Sequence, residues 1–164
     1  MTQHESKTFD IGERPSATPW PPVILVGCIV AGALLGYLYP IPWPGMDDTP
    51  ARFIGLGIGV IGIVLLAWSM YELWRHGTTV LPDAGATRLV TTGPYWRFRN
   101  PIYLADAFII LGVAELTKNV WLVAAAAAFA ALVTWLAIIP EEEHLERRFG
   151  QEYLDYKAKS RRWI

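Results

Sequence analysis

Long apolar stretches separated by short polar segments dominate the pattern of this 164-residue chain. A helix needs about 20 mostly apolar residues to cross a lipid bilayer. Four stretches approach that length, and they cover residues 21–39, 52–72, 101–116 and 119–139. The pattern therefore predicts an all-α, polytopic membrane protein with about four transmembrane helices.

Polar segments frame this membrane region, and we expect a single domain over residues 1–164. Residues 1–20 form a polar leader that lacks the apolar core of a signal peptide. In residues 140–164, apolar side chains recur three and four positions apart, which is typical of an amphipathic helix. We expect a cytoplasmic tail helix there, bent at Gly150.

Small residues and a turn predict how the membrane helices meet. The second stretch contains glycines that would let another helix approach closely, and packing within one molecule is favoured over dimer formation. These glycines are Gly55, Gly57, Gly59 and Gly62. Lys118 and Asn119 separate the last two stretches, so we expect a tight turn and a helical hairpin.

Composition supports a membrane location. Hydrophobic residues make up 53% of the chain and charged residues 18%, whereas soluble domains carry about 25% charged residues. The single cysteine, Cys28, excludes a disulfide within the chain. The net charge of −1 points to no partner by itself, and we infer no nucleic-acid partner and no obligatory protein partner.

The basic residues predict the orientation of the chain, because loops rich in lysine and arginine stay in the cytoplasm. With four spans, all of the 14 basic residues except Arg52 and Lys118 lie on one side of the membrane. We therefore expect an integral protein of the cell inner membrane with both termini in the cytoplasm.

Candidate chemistry concentrates in the loop before the third stretch, ATRLVTTGPYWRFRNPIY at residues 86–103. Pro101 opens a helix whose N-terminus offers unpaired N–H groups to an anionic group such as a carboxylate. Aromatic side chains supply flat surface that a purine or a sulfonium could use; they are Tyr95, Trp96, Phe98 and Tyr103. An interfacial aromatic belt beside a capped helix would explain the same residues.

Acidic side chains occur near the matching ends of the predicted hairpin. Three glutamates at 141–143 directly follow the fourth stretch, and one carboxylate could accept hydrogen bonds from ribose hydroxyls or an amino group. If Pro140 starts a new helix, the same acids simply favour its first turn. Asp106 lies inside the third stretch and is a functional candidate, unless it reaches the interface or pairs with Arg99.

The sequence predicts no metal site. Glu72 and His76 share a helix face, but two residues without further ligands make a weak zinc pattern.

Two motifs flank the hairpin, LVTTGPYWRFRNPIY at residues 89–103 and EEEHLERRFGQEYLDY at residues 141–156. Together they resemble the isoprenylcysteine carboxyl methyltransferase family and its relatives, the phospholipid N-methyltransferases. The family pattern is L-V-x-x-G-x-Y-x-x-x-R-[HN]-P-x-Y, a hairpin, and E-E-x-x-L-x-x-x-F-G-x-x-Y-x-x-Y. The resemblance covers about half of the chain and implies a polytopic membrane enzyme that uses S-adenosylmethionine.

The resemblance also implies a cofactor pocket made by this loop, the start of the third stretch and the tail. By motif position, the loop would contribute Thr87, Arg88, Leu89, Val90 and Tyr95. The family's R-H-P-x-Y segment, which contacts the cofactor, corresponds to Asn100, Pro101, Ile102 and Tyr103. The cofactor-binding glutamate would be Glu141, with Glu142 as a close alternative.

This chain departs from the family pattern at two positions. Asn100 replaces a frequent histidine; it can form hydrogen bonds but cannot titrate near neutral pH. Near Ala137 an apolar run stands where eukaryotic carboxyl methyltransferases place a substrate-contacting arginine, which argues against a prenylcysteine carboxylate as acceptor.

Together the residues and the resemblance predict an integral-membrane methyltransferase. Its lipophilic acceptor would enter from the lipid bilayer and carry a phospholipid amine, an isoprenoid or prenylcysteine-like carboxylate, or a thiol. Methyl transfer needs alignment and exclusion of water but no metal. An amine must lose a proton, and the candidate bases are, in order, Asp106, Glu142 and His76. The alternative is a non-catalytic membrane scaffold or sensor that retains the fold.

Overall fold

The computed structural model of this protein describes residues 20–44, 49–78 and 88–164. These residues form the helices α1 (Trp20–Leu38), α2 (Thr49–Arg75), α3 (Pro101–Thr117), α4 (Val120–Val133), α5 (Ile139–Phe149) and α6 (Gln151–Lys159). A 3₁₀ turn covers Gly93–Trp96 and a π-helical turn covers Thr134–Ile138. No β-strand occurs among the residues so described, and the all-α prediction is confirmed.

Within the same residues, three helical segments are long and apolar enough to cross a membrane: Pro21–Leu38, Thr49–Arg75 and Val120–Phe149. Many large apolar side chains of α1 and α2 point outward, as expected for helices that face lipid. The protein is therefore an integral membrane protein. Since α3 has 17 residues, somewhat fewer than the roughly 20 of a full crossing, the count of four crossings stays a prediction.

Helix α2 extends beyond the predicted stretch at both ends. Pro50 lies in its first turn, where a missing N–H and a fixed φ angle are tolerated. Arg75 lies in its last turn, where a positive charge interacts favourably with the helix dipole. Hydropathy alone misses these polar turns because it reads only the apolar part of the helix.

The hairpin of α3 and α4 lies at the centre of the helix layer. α3 packs against α2 on one side and α4 on the other, and α1 packs against α4. Lys118 ends α3 with a left-handed φ of 52°, and the Asn119 side chain caps α4 by accepting the Trp121 N–H at 3.0 Å. The predicted tight turn is confirmed, and it returns the end of α4 to the level where α3 begins.

The predicted boundary at residue 140 falls inside a continuous helix, because α4, the π turn and α5 join without a break. Pro140 has no N–H, and its ring would clash with the carbonyl of residue 136 in a regular α-helix. The wider π turn just before it avoids this clash, since the Ile139 N–H bonds to the Thr134 carbonyl five residues back. The helix ends only at Gly150, whose φ of +54° separates α5 from α6 and agrees with the predicted bend.

Glycines let α2 and α3 approach closely, as predicted for three of the four positions. A Cβ atom added at Gly59 would lie 2.9 Å from the Gly112 Cα, which is closer than real Cβ atoms come. Gly55 and Gly62 also face atoms of α3. Gly57 faces open space, because it lies on the other side of α2.

We expect Gly59→Leu to destabilise the protein and Gly57→Leu to leave its stability nearly unchanged. A leucine at Gly59 must push α2 away from Gly112, and overpacking costs about 1–3 kcal/mol or more. Thermal unfolding of both variants in the same detergent checks this expectation. Equal unfolding temperatures in the two variants would contradict the close approach at Gly59.

Candidate functional site

The loop before α3 is fixed to the end of α2. The Thr92 hydroxyl donates a hydrogen bond to the buried carboxylate of Glu72. Gly93 follows with a φ of +58°, and a Cβ added there would lie 3.1 Å from the Glu72 Cδ. The 3₁₀ turn therefore sits directly against α2 and sets the course of the chain toward α3.

The end of the tail runs alongside this loop. The backbone N–H of Arg99 donates to the Arg161 carbonyl at 2.7 Å, and the backbone N–H of Arg161 donates to the Arg97 carbonyl at 2.9 Å. One helical turn earlier, the Tyr156 hydroxyl donates to the Tyr95 carbonyl at 2.6 Å. The loop and the tail thus form one surface at the predicted cytoplasmic end of the helices.

Glu142 lies between two arginines in an ion cluster. Arg99 donates to its Oε1 at 3.1 Å, and Arg162 donates to both of its oxygens, at 3.1 and 2.7 Å. Glu142 is 5% exposed. Arg99 also donates to the Ser160 carbonyl at 2.6 Å. The cluster therefore joins α5, the loop and the tail, and it holds Glu142 as an ionised carboxylate that is poorly placed to accept a proton.

Glu141 has a different environment from its neighbour. The Tyr103 hydroxyl donates to its Oε2 at 3.5 Å, a long hydrogen bond that links α3 to α5. Within the described residues, no basic side chain pairs with Glu141. Glu141 as a whole residue is partly buried, and with this single long hydrogen bond its carboxylate retains acceptor capacity for a ligand.

Asp106 lies one turn beyond Tyr103 on α3 and is partly buried. The alternative that it pairs with Arg99 is not realised, because Arg99 bonds to Glu142 and the tail. Asp106 is three residues from Tyr103 on the same helix, a spacing that makes side chains neighbours, and Glu141 accepts the hydrogen bond from the Tyr103 hydroxyl. Two carboxylates without a described cationic partner therefore lie around one tyrosine.

Tyr95 is buried in the 3₁₀ turn close to this group. Burial, reinforced by the nearby charge of Glu141, raises the pKa of the Tyr95 phenol far above its ordinary value. Its hydroxyl therefore stays neutral and can donate a hydrogen bond at physiological pH.

The other predicted site residues fall into three groups. Asn100 is buried and its amide donates to the Arg162 carbonyl at 3.2 Å, next to buried Pro101 and partly buried Ile102. Val90 is buried, Leu89 is partly buried and Arg88 is exposed, while Thr87 lies outside the described residues.

His76 contacts its own helix, where Nδ1 donates to the Glu72 carbonyl at 2.8 Å, and no contact joins it to Tyr103 or Glu141.

Several residues of this surface were not predicted as site residues. The tail contributes Tyr153, Ser160, Arg162 and Trp163. Trp163 donates from Nε1 to the Thr134 Oγ1 at 3.1 Å, in the π turn. Tyr153 is a tyrosine of the second motif, which was a sequence signal for it. For the last residues the signal was the pair of arginines at 161–162 beside an aromatic residue, and this pattern also fits a helix that lies on lipid headgroups.

Comparison with known proteins gives the class of this fold and site. The model of the family "Phospholipid methyltransferase" matches residues 50–152, so the chain belongs to the phospholipid methyltransferase family. The nickel-cobalt-cadmium resistance protein NccN of Alcaligenes xylosoxydans xylosoxydans is 32% identical over 114 residues, which cover 70% of this chain and 51% of NccN. The chain thus spans about half the length of this relative. No solved structure matches the chain.

Proposed function

We propose that this protein transfers a methyl group from S-adenosylmethionine to a lipophilic acceptor that arrives from the bilayer. One observation carries the proposal: Glu141 and Asp106 lie around Tyr103 without a described basic partner, at the end of apolar helices. Uncompensated carboxylates at a membrane boundary are unfavourable and mark functional sites. Membership of the phospholipid methyltransferase family supports the same reaction.

The side chains present fit this cofactor. When bound, S-adenosylmethionine supplies a methyl group on a positively charged sulfur. Carboxylates and the faces of tyrosine rings attract such a cation, and Glu141 can accept hydrogen bonds from its amino group or ribose hydroxyls. The buried Tyr153 hydroxyl, which lacks a partner among the described residues, offers a further polar contact. These groups lie on three segments that meet: the loop, the start of α3 and the tail.

The residues of the site would position and enclose the reactants. The ion cluster of Glu142, Arg99 and Arg162 holds the tail over the loop. A covered site excludes water, which would otherwise weaken electrostatic contacts and compete with the acceptor. Tyr103 and Glu141 would orient the cofactor, and orientation supplies much of the rate in a transfer between two bound groups.

The charges of the site favour an amine as the methyl acceptor. Arg99 and Arg162 are both bonded to Glu142, so neither is available for a carboxylate acceptor. Asp106 lies one turn deeper than Tyr103 and could pair with an ammonium group or accept its proton. A phospholipid amine therefore fits better than an isoprenoid carboxylate. A thiol acceptor needs neither a free arginine nor Asp106.

Two measurements test the function. Purified protein in detergent should bind S-adenosylhomocysteine saturably in calorimetry. Cells that express the protein and receive methyl-labelled methionine should contain a labelled lipid that is absent without the gene. Binding without a labelled product would favour a sensor that retains the fold, and the absence of both would favour a non-catalytic scaffold.

The name of the relative suggests a cellular role. NccN is named for resistance to nickel, cobalt and cadmium, and we propose that methylation by this protein contributes to tolerance of such ions. No group of three or more histidine, cysteine, aspartate or glutamate side chains in residues 20–44, 49–78 and 88–164 is arranged to hold a metal ion. A deletion strain complemented with wild type or with Glu141→Gln should grow in nickel only with the wild type; equal growth would contradict this role.

We expect the tail to face the cytoplasm and the α1–α2 connection to face the outside. In a Cys28→Ala background, a cysteine at exposed Ile41 should react with an impermeant maleimide in intact cells. A cysteine at exposed Lys159 should react only after permeabilisation. Labelling of the Lys159→Cys variant in intact cells would contradict the predicted orientation.

A further inference from the structure

Tyr153 is a buried tyrosine on the inner face of α6, and its side chain is 1% exposed. Its ring packs edge-on against that of Tyr156, with 6.2 Å between ring centroids. The hydroxyl is buried and has no hydrogen-bond partner in the part of the chain that the structure describes. Buried polar groups are nearly always hydrogen-bonded, so an exception calls for a physical explanation.

The hydroxyl lies beside the candidate site. The Tyr153 ring packs against Tyr156, whose hydroxyl bonds to the carbonyl of the predicted site residue Tyr95, so Tyr153 lies where α6 meets the loop. Tyr156 provides the contrast on the same helix, because its hydroxyl donates to the Tyr95 carbonyl at 2.6 Å. The described residues thus explain the hydroxyl of Tyr156, and among them the hydroxyl of Tyr153 has no structural role.

We propose that the Tyr153 hydroxyl forms a hydrogen bond with the bound S-adenosylmethionine; this assignment rests on the proposed function and extends it to a residue of α6. The neutral phenol can both donate and accept, whereas the Glu141 carboxylate can only accept. Tyr153 can therefore donate a hydrogen bond to the carboxylate of the methionine part, which the Glu141 carboxylate repels. It can also donate to a ribose oxygen, which Glu141 leaves unpaired.

The connection between α5 and α6 permits the ligand to reach this hydroxyl. Gly150 joins the two helices with a φ of +54°, and a Cβ added there would meet nothing within 4 Å. The open space at this junction leaves room there for α6 to shift when a ligand binds. Such a shift would let the tail close around the bound cofactor.

Two phenylalanine substitutions in the full-length protein separate a ligand contact from a structural one. Tyr153→Phe keeps the ring and removes only the unpartnered hydroxyl. We expect about tenfold weaker binding of S-adenosylhomocysteine in calorimetry, which corresponds to about 1.4 kcal/mol, with an unfolding temperature without ligand that is equal to or above wild type. Tyr156→Phe removes a hydroxyl with a protein partner, so we expect a lower unfolding temperature without ligand.

Any of three other results would overturn the assignment of Tyr153. Wild-type affinity in Tyr153→Phe would show that the hydroxyl contacts no cofactor and is satisfied by buried water. A fall in unfolding temperature like that of Tyr156→Phe would show that the hydroxyl has a structural partner. If the wild-type protein itself fails to bind S-adenosylhomocysteine, the proposed function fails, and the assignment of Tyr153 fails with it.

Discussion

We expect Glu141→Gln to weaken the binding of S-adenosylhomocysteine by about 10- to 150-fold. The substitution keeps the size of the side chain but removes the charge that accepts hydrogen bonds from the ligand. A hydrogen bond to a charged group contributes about 1.5–3 kcal/mol, and every 1.4 kcal/mol is about tenfold in affinity. Calorimetry on purified protein measures the change, and transfer of labelled methyl groups to lipid should fall in parallel.

Glu143→Gln is the matched control for this experiment. Glu143 lies two residues further along α5 and is exposed, so the same change in charge should leave affinity nearly unaltered. Tyr103→Phe should also weaken binding, but by less than Glu141→Gln, because the hydrogen bond between the two is long at 3.5 Å. Unchanged affinity in both Glu141→Gln and Tyr103→Phe, with well-folded protein, would refute the proposed site.

The different environments of neighbouring glutamates show where prediction from sequence ends. Motif position identified both Glu141 and Glu142 as candidates, and the sequence could not separate them. Successive residues of a helix point about 100° apart, so one carboxylate faces Tyr103 and the other faces two arginines. Arg162 reaches Glu142 only because residues 160–163 fold back along the loop, and no local pattern predicts that return.

Hydropathy predicted the membrane helices well because apolar length is the main requirement for a span. It placed the α3–α4 turn correctly at Lys118 and Asn119. It missed the continuation of α4 through Pro140, because proline usually ends a helix. The π turn at Thr134–Ile138 accommodates this proline, and a contact from the distant tail, the hydrogen bond from Trp163 to Thr134, also lies at this turn.

The ion cluster around Glu142 should hold the tail in place, so we expect Glu142→Gln to release it. The substitution leaves Arg99 and Arg162 close together without a carboxylate between them. Removing one member of a buried ion pair costs about 3–5 kcal/mol, because the remaining charge stays buried and uncompensated. This applies to Arg99, whose side chain is 10% exposed, whereas solvent screens Arg162, whose side chain is 39% exposed. Hydrogen exchange of residues 151–162 should become much faster, and the unfolding temperature should fall.

A second ion pair on the same tail provides the control. Lys157 and Glu146 pair at 3.1 Å, but their side chains are 36% and 43% exposed. Exposed pairs contribute about 0–1 kcal/mol, so Glu146→Gln should change the hydrogen exchange of the tail only slightly. Like Glu142→Gln, it removes one negative charge from α5. Equal effects of Glu142→Gln and Glu146→Gln would mean that apolar packing, including that of Trp163 against the core, holds the tail without the arginines. In that case the arginines would have no part in holding the tail over the site.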